Sequence, residues 1–151
     1  MESCWLKLDE LLAEFTDLDP QESLELLVEM SDQLPDLSPK RNAERTDSRF
    51  LVKECQTPVY LWVDLVEGVT RLESYVTEKS PTVRGYVAML VEGLCGVPPD
   101  EIAALPENLL PQMGLDQTLG MTRRRGFTGL LRRIKQETAH LASGTETQSG
   151  A

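Results

Sequence analysis

Histidine is nearly absent from this sequence: His140 is the single imidazole among 151 residues. One histidine beside a polar C-terminal stretch supplies neither a His-rich metal site nor a Ser-His-Asp triad, which argues against imidazole catalysis. Cysteine is scarce too. Cys4, Cys55 and Cys95 are 51 and 40 residues apart, odd in number and without a CxxC pair. That usage suits reduced thiols in a cytoplasmic compartment better than a disulfide framework. No apolar run approaches the roughly 18 residues that a bilayer crossing needs, and the N-terminal MESCWLKLDELLAEF mixes acids among its leucines. Neither a secretion signal nor a membrane span is expected. Basic residues are outnumbered, 15 Lys and Arg against 25 Asp and Glu, for a net charge of −10. Such a surface repels phosphate, which argues against nucleic acid and anionic membranes and favours a basic partner surface.

A chain of this length buries roughly two thirds of its unfolded surface, so a hydrophobic core suffices without disulfides or structural metal. Leu8, Leu11, Leu12 and Phe15 recur at helical spacing and predict a first helix ending near Leu18. Asp19-Pro20-Gln21-Glu22 reads as an N-cap, a proline at the first helical position and a glutamate at the third, opening a second helix that Pro35 stops. Residues 1–40 hold eleven acids against Lys7 and Lys40, a balance of −9, so nearly all the net charge sits here. The stretch 35–48, polar with two prolines and no periodicity, reads as a surface connection.

Phe50-Leu51-Val52 then predicts a short strand. Val59–Val66 and Val69–Val76 flank Glu67-Gly68, a two-residue hairpin signal. Ser80-Pro81 opens a helix whose Val83, Val87, Leu90, Val91 and Leu94 form one stripe, ended by Gly96. A short helix from Pro99 to about Leu105, a turn between Leu109 and Gly114, and a last helix carrying Phe127, Leu130, Leu131, Ile134, Thr138 and Leu141, with Thr122 as its N-cap, complete the pattern. The expected fold class is α+β: a small three-stranded antiparallel sheet packed with helices. Residues 1–142 are expected to form one domain and 143–151 a disordered tail. No internal repeat is visible.

Cys55 lies in Lys53-Glu54-Cys55-Gln56-Thr57-Pro58, between two strand candidates, where a side chain can be presented outward. A buried cysteine acting as a small hydrophobe is the competing assignment, and the polar, proline-containing surroundings favour exposure. Lys53 would stabilise a thiolate there and Glu54 would oppose it. Cys95, at the end of an apolar stripe, is expected in the core, and Cys4 on the surface. Arg123, Arg124, Arg125, Arg132, Arg133 and Lys135, less Glu137, make residues 118–142 net +5. That charge would form a solvated helix face, pair with an acidic partner, or complement the chain's own acidic N-terminal helices.

Four segments in this order resemble the SufE family of cysteine-desulfurase sulfur acceptors, over roughly residues 8–142. They are Gln33-Leu34-Pro35-Asp36-Leu37 after an amphipathic helix, Arg45-Thr46 before the strand, Cys55-Gln56-Thr57-Pro58-Val59-Tyr60, and Thr122-Arg123-Arg124-Arg125-Gly126-Phe127 before the last helix. The resemblance implies a sulfur carrier and activator rather than an enzyme. A SufS-like, pyridoxal-phosphate-dependent cysteine desulfurase would strip sulfur from L-cysteine as a bound persulfide. Cys55 would attack its terminal sulfur and hold a persulfide for a downstream iron–sulfur scaffold. Gln56 is implied as loop neighbour and Arg123 as a docking residue, with no cofactor or metal on this chain. The family's glycine before the cysteine is Glu54 here, and Pro58 stands where the family has a glutamine; both stiffen the loop. Two other function classes fit the residues alone: a thiol-dependent redox protein using Cys55, and a non-catalytic interaction adaptor in which Cys55 is incidental.

Overall fold

The computed structural model describes residues 5–53 and 55–144. Within them, six α-helices and one β-hairpin follow each other as α1 (Trp5–Ala13), α2 (Pro20–Met30), α3 (Pro39–Asn42), β1 (Val59–Val66), β2 (Val69–Val76), α4 (Pro81–Leu94), α5 (Pro99–Ala103) and α6 (Met121–Ala142).

Local chemistry sets most of the boundaries. Asp19 accepts from the Glu22 amide at 2.8 Å while Glu22 reaches back to the Asp19 amide at 2.9 Å, a complete capping box ahead of Pro20. The hairpin turn places both Glu67 (φ 54°) and Gly68 (φ 83°) in the left-handed region, the geometry that matches strand twist in a two-residue connection. The strands pair antiparallel from Val66↔Val69 to Val59↔Val76. Gly96, at φ 82°, turns the chain away after α4.

One face of the hairpin, with Val59, Leu61, Val63, Leu72 and Val76, enters a core cluster that runs from Leu8 to Ile134. α4 lies between this face and the N-terminal helices α1 and α2, while α6 packs on β1 and α5. Ser74, polar on the inward face, is satisfied by donating to the Tyr60 carbonyl at 2.7 Å.

The sheet has two strands, which corrects the expectation of three. Residues Ser48–Phe50 form a 3-10 turn instead of a strand: the Asp47 carboxylate takes the Arg49 amide, and the amides of Phe50 and Leu51 bond back to Asp47 and Ser48. Those local bonds consume the donors that a ladder would use. Only an isolated bridge, Leu51↔Tyr60, joins this segment to β1. The segment serves as a cover instead, laying the Phe50 ring 5.4 Å from that of Trp62 on the outer sheet face.

Other boundaries moved as well. α1 ends at Ala13, not Leu18, and Asp17 turns at φ 67°. The 35–48 connection contains α3, and its Arg41 is buried at 4 % exposure, with Nη2 donating to both carboxylate oxygens of Asp64 at 2.8 Å. α6 starts at Met121 with Gly120 as its N-cap, two residues before the expected cap at Thr122, which lies inside the helix. Ser143 and Gly144 turn off the end of α6; the rest of the expected tail lies outside the described residues.

Candidate functional site

Cys55 sits on a short loop between the isolated bridge and β1. The loop is closed at its base, where the Val52 amide donates to the Val59 carbonyl at 2.8 Å beside the Leu51↔Tyr60 bridge. Within it the Cys55 amide bonds back to Val52. Lys53, Gln56 and Pro58 are exposed, Thr57 is half-buried, and Glu54 lies outside the described residues. The thiol is intermediate between the two assignments: half-buried, packed on the edge of the core, and donating to the Gly126 carbonyl of α6 at 3.4 Å.

This contact brings two distant segments together. A cavity of about 330 Å3 is lined by Cys55, Gln56 and Thr57 from the loop, Val83 from α4, and Gly120, Thr122, Arg123, Gly126 and Phe127 from the start of α6. Cys55, Gln56 and Arg123 thus share one cavity. Behind it the rings of Tyr86 and Phe127 stack at 4.2 Å between centroids, nearly parallel at 6°. Burial pushes the Tyr86 phenol well above its ordinary value, and the negative charge of a Cys55 thiolate pushes it further. Tyr86 and Gly126 were not legible as neighbours of Cys55. Tyr86 sits at the edge of the α4 stripe, three residues after Val83 and four before Leu90, a spacing that predicts burial but not which loop it faces, and a backbone carbonyl leaves no trace in residue type.

Cys95 lies elsewhere and is not in the core. It is half-buried at the C-terminus of α4, accepts from Arg71 Nη1 at 3.4 Å and lines a separate cleft. Cys4 is outside the described residues. Among the described residues, no ion pair joins the cations of α6 to the acidic N-terminal helices. Arg124, Arg132 and Arg133 pair with Asp116, Glu107 and Glu137. Among the described residues, no helix is long and apolar enough to cross a membrane, and no group of three or more His, Cys, Asp or Glu side chains is arranged to hold a metal.

Residues 9–138 match the family model of the SufE, Fe-S metabolism associated domain. An uncharacterized SufE-like protein of Mycobacterium tuberculosis is 35 % identical over 130 residues, covering 85 % of this chain and 89 % of its own. SufE-like protein 1, chloroplastic/mitochondrial, of Arabidopsis thaliana is 28 % identical over 74 % of this chain, which matches 31 % of that longer protein. The fold is similar to the solution structure of a hypothetical protein from Thermus thermophilus, with a TM-score of 0.75 and 27 % identity over 91 % of this chain and 96 % of that one. An α+β chain with a cysteine presented beside a cavity defines the class, and the extent of the match names the family. The protein belongs to the SufE family and to Fe–S metabolism.

Proposed function

We propose that this protein is a sulfur acceptor that takes a persulfide from a pyridoxal-phosphate-dependent, SufS-like cysteine desulfurase onto Cys55, and so activates that enzyme for iron–sulfur cluster assembly. The observation that carries the reading is the position of the thiol: on a short loop closed at its base by the Val52–Val59 bond and resting on α6 through the Cys55–Gly126 contact, at the wall of a cavity that also holds Gln56 and Arg123. Sulfur exchange needs a nucleophile that a second protein can reach and a compartment that keeps the product from solvent and reductants. A half-buried thiol on a short loop meets both needs. The loop turns outward to meet the donor and returns with its sulfur to the cavity.

The chemistry is a displacement on sulfur. The Cys55 thiolate attacks the outer sulfur of the donor persulfide, the new S–S bond forms as the old one breaks, and the donor cysteine leaves as a thiolate. Gln56 and Arg123, both exposed at the cavity mouth, are the residues offered to the partner. Residues 1–142 act as one unit in this role, a reducing cytoplasm keeps the acceptor thiol available, and an iron–sulfur scaffold receives the sulfur.

The test is the intact mass of the reduced protein after incubation with a cysteine desulfurase and L-cysteine. A reductant-labile gain of one sulfur atom is expected, and Cys55→Ser eliminates it. A folded protein that gains no sulfur from several desulfurases defeats the reading.

A further inference from the structure

The cavity beside Cys55 continues into a smaller cleft, and the two share Thr57, Val83 and Arg123 in their walls. Lys79, Ser80, Pro81 and Thr82 complete the cleft, which measures about 130 Å3. Its charged side chains are of one sign. Lys79 and Arg123 are exposed cations, and among the described residues neither is in an ion pair. The hydroxyls of Thr57 and Ser80 lie 3.3 Å apart, and no carboxylate lines the cleft among the described residues. Two cations outside any ion pair among the described residues and three hydroxyls, those of Thr57, Ser80 and Thr82, in a chain of net charge −10, make a local site for an anion. The volume admits a carboxylate and a short carbon chain. The adjoining cavity, at about 330 Å3, is also of small-molecule scale.

We propose that this cleft is a carboxylate subsite through which Cys55 passes its sulfur to a low-molecular-weight thiol bearing a carboxylate, held by Lys79 and Arg123. The inference rests on the acceptor reading, because the persulfide on Cys55 is its substrate. The incoming thiol loses its proton, and its sulfur attacks the outer sulfur of the Cys55 persulfide. A new S–S bond to the small molecule forms as the bond to Cys55 Sγ breaks. The electron pair leaves on Sγ, which takes up a proton and again donates to the Gly126 carbonyl as in the resting structure. The product is a small-molecule persulfide, and the step needs no outside oxidant or reductant.

The full chain is loaded in two ways, with a cysteine desulfurase and L-cysteine or with inorganic polysulfide, and then freed of reagent. Loss of the added sulfur is followed by mass over a dilution series of 3-mercaptopropionate, 2-mercaptoethanol or cysteamine. Each rate is divided by the same thiol's rate on a small-molecule disulfide, which removes intrinsic nucleophilicity. The carboxylate thiol is expected to saturate and to hold an advantage of about fivefold over 2-mercaptoethanol, one that shrinks as salt rises. Lys79→Gln is expected to lose that advantage and Lys79→Arg to keep it. Equal normalised rates, or an advantage indifferent to salt, overturn the inference; the salt series on the unaltered protein decides it even where a variant fails to fold. Loading by polysulfide but not by a desulfurase defeats the donor half of the acceptor reading while release is still measured. Failure to load by either route removes the persulfide and overturns both.

Discussion

At the scale of single residues, Cys55 and Tyr86 are coupled through space. Tyr86 is 1 % exposed, stacked on Phe127, and close enough to Cys55 for a thiolate to disfavour its ionisation. Its folded pKa is raised above the ordinary value of 10.0, first by burial and then by that charge. A phenol raised in this way contributes stability that is complete below the unfolded value and is lost as pH rises toward the folded one. Urea unfolding free energies measured at about pH 9 and about pH 11 should therefore fall with pH, and the slope should shrink in Tyr86→Phe. An unchanged slope in that variant would assign the alkaline loss to other groups. The same packing explains why the thiol is neither fully open nor sealed: the stacked rings wall the cavity from behind, while the loop in front is held by few bonds.

At the scale of elements, close approach between helices carries the N-terminal half. A Cβ placed on Gly85 of α4 would lie 1.8 Å from the Leu27 carbonyl oxygen of α2, a clash with backbone that no rotamer relieves. Gly85→Ala is expected to force the two helices apart at a cost of about 3 kcal/mol, read as a lower denaturant midpoint. The cover over the outer sheet face depends on ions instead. Ser38 donates to Glu73 through both its amide and its hydroxyl, and Arg41 grips Asp64 while also bonding Glu44 at 3.0 Å. Asp64→Ala leaves a buried guanidinium with one partner and should cost about 2 kcal/mol by chemical denaturation. If its loss were neutral, the α3 segment would be held by the Ser38–Glu73 bonds and the neighbouring Phe50–Trp62 contact instead.

At the scale of the whole molecule, charge is unevenly distributed. Eleven acids crowd residues 1–40, and three cations of α6, Arg124, Arg132 and Arg133, are engaged with Asp116, Glu107 and Glu137. The acidic half therefore keeps its self-repulsion, which salt screens within a Debye length of roughly 10 Å at 0.1 M. Raising sodium chloride from about 10 mM to about 300 mM should lift the thermal midpoint by roughly 2–4 °C, on the order of 1 kcal/mol for a chain of this size. A falling midpoint would mean that the ion pairs seen here outweigh the repulsion.

The sequence by itself determined whatever rests on neighbours a few residues apart. The α2 capping box, the left-handed pair Glu67-Gly68, the α4 stripe and the α+β class were all legible, because capping, turn geometry and helical periodicity are local. The Cys55-Gln56 and Arg123 segments were legible as motifs through their resemblance to the SufE family, not through local geometry. Tertiary structure alone decided what depends on distant partners. Phe50 went into a 3-10 cover instead of a third strand, since the local bonds of Asp47 and Ser48 together with burial on Trp62 outcompeted a ladder. Arg41, in a stretch that reads as solvent-exposed, is buried because Asp64 lies 23 residues along the chain yet 2.8 Å away. The Cys55 cavity is likewise a product of long-range packing: its carbonyl acceptor at Gly126 is 71 residues away in sequence and 3.4 Å away in space, a juxtaposition that no local pattern encodes.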